Sequence, residues 1–165
     1  MFKPVGLFDL TGRTALVTGG NSGIGLAMGR ALALAGATVI LVARRADELE
    51  KAAASLRGEG FDASAAVADL ADATAISALA NALSGRTIDI IVNAAGVNLR
   101  QPFRTVSAEA FDLHMALHLR APFLLTQAFA PKMAERNWGR IINLASMQST
   151  RAFPDSAPYG AAKGG

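Results

Sequence analysis

Thr18-Gly19-Gly20-Asn21-Ser22-Gly23-Ile24-Gly25 joins two stretches of different character. Upstream, Thr14-Ala15-Leu16-Val17 is a short apolar run that suits a strand buried on both faces. Downstream, Leu26-Ala27-Met28-Gly29-Arg30-Ala31-Leu32 reads as a helix. A glycine-rich turn between a parallel strand and a helix is a phosphate site. Its glycines let backbone approach a pyrophosphate, and the helix start supplies free N–H groups and a positive dipole end. The spacing is Gly-x-x-x-Gly-x-Gly, not the commoner Gly-x-Gly-x-x-Gly. By itself the turn also fits a tight loop that binds nothing.

Working outward, Thr38-Val39-Ile40-Leu41-Val42 is a second buried strand, so a right-handed strand–helix–strand crossover is expected. Just beyond it stands Ala43-Arg44-Arg45. In dinucleotide folds an acid here binds the ribose hydroxyls, whereas an arginine accommodates a 2′-phosphate. Arg44 is the first candidate for that phosphate and Arg45 the second, since a guanidinium binds phosphate through two parallel hydrogen bonds. A solvated pair of charges is the plainer alternative.

Ala63 to Ala68 reads as a third strand ending at Asp69-Leu70, and Asp72 is placed to cap a helix over 73–83. Asp69 stands where ligands bind in open parallel sheets, though a loop carboxylate beside a helix cap fits it equally. Ile88 to Val92 predicts a fourth strand running into Asn93-Ala94-Ala95-Gly96, whose small residues let something flat lie on the backbone. Ser107 is expected to cap a long helical region reaching Glu135, kinked or broken at Pro122. His114 and His118 lie one turn apart there, without the further ligands a metal site needs. Arg140 to Ala145 predicts the fifth strand, with Ser146 at its end, and Tyr159 and Lys163 share one face of a following helix.

A phenol ordinarily titrates near pH 10, and a neighbouring ammonium favours its ionised form. Tyr159 beside Lys163 therefore suits proton exchange with a hydroxyl or carbonyl oxygen, and Ser146 suits a hydrogen bond to that oxygen. With a nicotinamide alongside, this is equipment for hydride transfer.

The 165 residues suffice for one domain. Hydrophobic residues at 52% against 18% charged exclude a disordered chain. The net charge of +3 comes without a dense basic block and interleaved aromatics, so no nucleic-acid partner is expected. The absence of cysteine excludes disulfides, thiolate catalysis and Cys-ligated metals. Met1 to Gly6 has no signal-peptide core and no run is long enough to span a membrane, which makes cytoplasm the expected location.

In family order and spacing, Thr18 to Gly25, Asn93 to Gly96, Ser146, and Tyr159-Gly-Ala-Ala-Lys163 resemble the short-chain dehydrogenase/reductases along essentially the whole chain. The resemblance implies a doubly wound α/β parallel sheet of Rossmann type and a single dinucleotide-binding domain over 1–165. It implies NADP as cofactor, a small alcohol or carbonyl substrate, no metal, and homo-oligomeric full-length relatives. By the same resemblance, Thr18, Gly19, Asn21, Ser22, Gly23, Ile24 and Gly25 hold the pyrophosphate and Asp69-Leu70 contacts adenine. Asn93, Ala94, Ala95 and Gly96 support the sheet and line the site. Ser146 orients the carbonyl, Tyr159 donates the proton, and Lys163 also binds the nicotinamide ribose. Ser146-Met147-Gln148-Ser149 and the leading Leu7 to Gly12 resemble gluconate 5-dehydrogenases and related sugar-acid or polyol reductases. The 3-oxoacyl-carrier-protein reductases share most of the same motifs.

Two departures stand out. His118 occupies the place of a family asparagine that helps hold a relay water, and altered pH dependence with partial function is expected of it. The sequence also stops at Gly165, whereas family members run to roughly 250 residues. A domain incomplete at its C-terminus is therefore expected, with an open fifth-strand edge, weak stability and weak or absent turnover. A nucleotide-binding module without catalysis, or an inactive fragment, is the alternative to an enzyme.

Overall fold

The computed structural model describes residues 6–165; the first five residues of the expected lead-in lie outside them. The lead-in closes with a 3-10 turn at Gly6–Phe8 rather than extended chain. Five strands follow: β1 (Thr14–Thr18), β2 (Thr38–Ala43), β3 (Ala63–Val67), β4 (Ile90–Asn93) and β5 (Arg140–Asn143). All pair in parallel, in the order β3-β2-β1-β4-β5. The helices are α1 (Gly23–Leu34), α2 (Ala46–Gly58), α3 (Ala73–Ala82), α4 (Ala108–Met115), α5 (Ala121–Glu135) and α6 (Ala157–Gly164).

Alternation along the strands divides the core between the two faces. Ala15, Val17, Val39 and Leu41 pack with α2 residues Leu49, Ala53 and Leu56. Leu16, Ile40, Val42 and Ile91 pack with Ile76 and Leu79 of α3 and with Leu125 and Phe129 of α5. Strand order reverses at β1, since the chain moves outward to β3 and then returns to β4. The crevice at the carboxyl ends of β1 and β4 is thus the position where this architecture binds ligands.

Three expected boundaries shift. β4 begins at Ile90 rather than Ile88, because Asp89 turns its buried carboxylate to accept the Thr14 N–H at 3.0 Å. Asp89 also meets Arg13 and Arg136, each at 3.5 Å. The 107–135 region does not break at Pro122. A π turn, Ala116–Arg120, connects α4 to α5, and Pro122 falls in the first turn of α5, where its missing N–H is tolerated. Ser107 and Asp72 cap α4 and α3, accepting from Ala110 N at 3.2 Å and Thr74 N at 2.8 Å. β5 stops at Asn143, pairs only with β4 among the described residues, and exposes Ile141 and Ile142 by 37% and 39%.

Candidate functional site

A groove of about 610 Å³ opens at the carboxyl ends of the strands, a volume suited to a cofactor-sized ligand. Gly19, Asn21, Ser22, Ile24 and Gly25 of the glycine turn form one wall. Ala94, Ala95 and Gly96, after β4, form the facing wall. Arg44, Arg45, Asp69 and Leu70 line the groove beyond β2 and β3, and His118, Tyr159 and Lys163 line it on the β4–β5 side. The glycine turn is built for close approach: a Cβ on Gly25 would sit 2.3 Å from the Gly19 carbonyl oxygen.

Four predicted contact residues do not line the groove: Thr18, Gly23, Asn93 and Ser146. Thr18 is buried, and its hydroxyl is consumed by backbone. It donates to Val92 O at 3.2 Å and accepts from Ala94 N and Ala95 N at 3.0 Å each. Asn93 is also buried and donates its amide to Asn143 Oδ1 at 2.7 Å, tying β4 to β5. Both hold the walls rather than form them. Gly23 starts α1 with φ of 55°, a turn residue rather than a wall. Ser146 caps the 3-10 turn Met147–Ser149, its Oγ accepting from Gln148 N at 3.1 Å. A hydroxyl so engaged keeps its own proton to donate.

The arginines divide the labour. Arg45 pairs with Glu48 at 2.5 Å, and Glu48 also accepts from Asn21 Nδ2 at 3.2 Å. Arg44 takes part in none of the ion pairs among the described residues and is exposed at the groove.

At the other side α6 packs on α4 and the π turn. Lys163 Nζ donates to Leu144 O and lies 5.9 Å from the Tyr159 ring centroid. Burial draws the lysine below its ordinary value. The His118 ring meets Tyr159 edge to face at 5.0 Å. Its Nε2 lies 2.7 Å from Val97 O and 3.1 Å from Val97 N, while its buried Nδ1 has no hydrogen-bond partner among the described residues. Burial holds His118 down at about 4, helped by the nearby charge of Lys163. His118 is therefore neutral across the working range of most enzymes.

Among the described residues no group of three or more His, Cys, Asp or Glu could hold a metal ion, and no helix is long and apolar enough to cross a membrane. Sequence reasoning passed over Val97 and Asn98, which line the groove, and Leu144, whose carbonyl receives Lys163. A loop residue that contributes only backbone or position leaves no chemical signature.

The parallel sheet reversing at β1 and the glycine turn at its end define a doubly wound, nucleotide-binding architecture. The short chain dehydrogenase family model matches residues 13–165, and the chain belongs to that family. It is 41% identical over 160 residues to gluconate 5-dehydrogenase of Gluconobacter oxydans, covering 96% of this chain and 62% of that protein. D-threitol dehydrogenase of Mycolicibacterium smegmatis is 38% identical over 160 residues, with the same shares of 96% and 62%. The crystal structure of a gluconate 5-dehydrogenase from Burkholderia cenocepacia, in complex with NADP and tartrate, superposes with a TM-score of 0.88 at 40% identity. That match covers 95% of this chain and 62% of the other. The chain thus spans about 62% of the length of these relatives.

Proposed function

We propose that this chain belongs to an NADP(H)-dependent oxidoreductase that interconverts a secondary alcohol and a ketone on a sugar acid, polyol or similar polar substrate. One observation carries the proposal: the glycine turn, Tyr159 and Lys163 line the same groove, with Arg44, in none of the ion pairs among the described residues, beyond β2. The fit to the nucleotide rests on the chain's own shape. Gly25 lines the groove without a side chain of its own, the facing wall is Ala94, Ala95 and Gly96, and Ala43 supplies no acid to repel a 2′-phosphate.

A bound nicotinamide nucleotide supplies or accepts the hydride at the substrate carbon. In reduction, the Tyr159 hydroxyl gives its proton to the carbonyl oxygen; in oxidation, Tyr159 takes the proton from the alcohol. Ser146, just outside the groove lining, keeps a hydroxyl proton to donate to the same oxygen as charge develops there. Lys163, anchored on Leu144 O and 5.9 Å from the Tyr159 ring centroid, would hold the nicotinamide ribose. The names of the relatives support sugar acids and polyols as the substrate class. We also place the protein in the cytoplasm and expect homo-oligomeric assembly, which exposed Phe111 and Phe123 on α4 and α5 support.

Fluorescence titration with NADPH and NADH, followed by NADP-dependent oxidation of D-gluconate and D-threitol, tests the proposal. Saturable binding that favours NADPH, with turnover of either substrate, is the expected result. Equal or absent binding of the two nucleotides refutes it.

A further inference from the structure

His114 lies within α4 and has no solvent exposure. Both of its ring nitrogens are engaged. The Leu99 N–H points at Nε2 from 3.2 Å, and an N–H can only donate. Nε2 is therefore an acceptor and the ring proton sits on Nδ1, which donates to Ala110 O at 2.6 Å. One turn on, within the π turn, His118 bonds Val97. The two imidazoles stack with centroids 6.0 Å apart. Two residues of extended chain cover about 6.6 Å. The histidine pair thus matches the spacing of Val97 and Leu99 and does for this loop what a neighbouring strand would do. The loop that it holds includes Val97 and Asn98 of the groove wall, and both rings stand edge-on to Tyr159, at 6.3 and 5.0 Å.

We propose that His114 is a positioning residue for the proton-transfer end of the groove: acting with His118, it fixes the Val97–Leu99 wall against α4 and so sets where a substrate oxygen meets Tyr159. The inference rests on the oxidoreductase reading above. It assigns a role to a buried ring that bonds no residue of the reaction centre.

Glutamine and asparagine separate the two ring nitrogens. Glutamine places an acceptor near the position of Nε2, whereas asparagine reaches only the position of Nδ1. In the chain as it stands, His114→Gln is expected to keep Leu99 amide exchange and kcat for D-gluconate oxidation within about threefold of the parent. His114→Asn is expected to speed Leu99 exchange and to lower kcat, each by about tenfold or more, with KM for NADP within about twofold. His114→Phe, which keeps ring volume, is expected to follow asparagine. Equal exchange in the glutamine and asparagine variants overturns the clamp, and fast exchange with unchanged kcat overturns its positioning role. If the parent binds no nicotinamide nucleotide, the oxidoreductase reading fails and the positioning role fails with it, while Leu99 exchange still decides whether the clamp exists.

Discussion

Gly96 faces His118 across the groove wall, and replacing it with alanine tests whether that wall is rigid. A Cβ at position 96 would lie 2.2 Å from His118 Cε1 and 2.9 Å from its Nδ1. Ordinary van der Waals contact begins at 3.4 Å. The ring must therefore retreat by roughly 1 Å, which close-packed interiors resist. It cannot do so freely: Nε2 is held by Val97, Tyr159 stands at its edge, and His114 stacks behind it. Overpacking of this kind costs about 1–3 kcal/mol. For a chain of this size each kcal/mol lowers Tm by about 2–4 °C. Urea unfolding of Gly96→Ala should give an unchanged m value and a lower midpoint. His118→Asn should recover much of that loss, because the smaller side chain vacates the position of Cε1, and the double-mutant cycle should give a coupling of at least about 0.5 kcal/mol. Independent, additive effects of the two substitutions would refute a rigid contact between Gly96 and His118.

Three further expectations concern charge and protons. Arg44→Ala should weaken NADPH binding by about 10- to 100-fold, the worth of a charge-assisted contact, and leave NADH binding unchanged; equal loss for both nucleotides would remove Arg44 from phosphate recognition. Tyr159→Phe should lower turnover of D-gluconate by about 100-fold or more while NADPH still binds, and retained turnover would rule out Tyr159 as the proton donor. His118 titrates at about 4 in the folded chain against an ordinary 6.5. Between those values the unfolded chain binds the extra proton, so stability rises with pH across this window and is lost on acidification through it. Urea midpoints measured from pH 7 down to 4 should fall less steeply in His118→Asn than in the parent, and parallel curves would assign the acid sensitivity elsewhere.

Local patterns made the alternating α/β order legible. Thr14–Val17 and Thr38–Val42 are apolar runs whose neighbours on both faces are helices, so composition alone marks them as strands. Residue type also marked much of the groove lining: Gly19, Gly25, Arg44, Tyr159 and Lys163 all line it. What escaped is non-local. The three partners of Thr18 lie on the Val92–Ala95 segment, more than seventy residues away, and Asn93 meets Asn143 across a strand pair. No spacing within either segment announces that their polar atoms are spoken for. The π turn was hidden for a related reason. Pro122 predicts a disturbance, but whether the chain breaks or widens by one residue depends on what packs alongside it.

Thr18 has a consequence for energetics of association. A single oxygen joins the end of β1 to the start of the loop after β4, using its donor and both acceptor positions at once. The two walls of the groove are thereby parts of one body whose separation is fixed when the sheet forms. Ordering of the groove belongs to folding, and a ligand that enters it meets little residual freedom to quench. Calorimetric titration of Thr18→Val, which keeps the shape and deletes the oxygen, would be expected to show a larger entropic penalty for nucleotide binding at similar contact enthalpy.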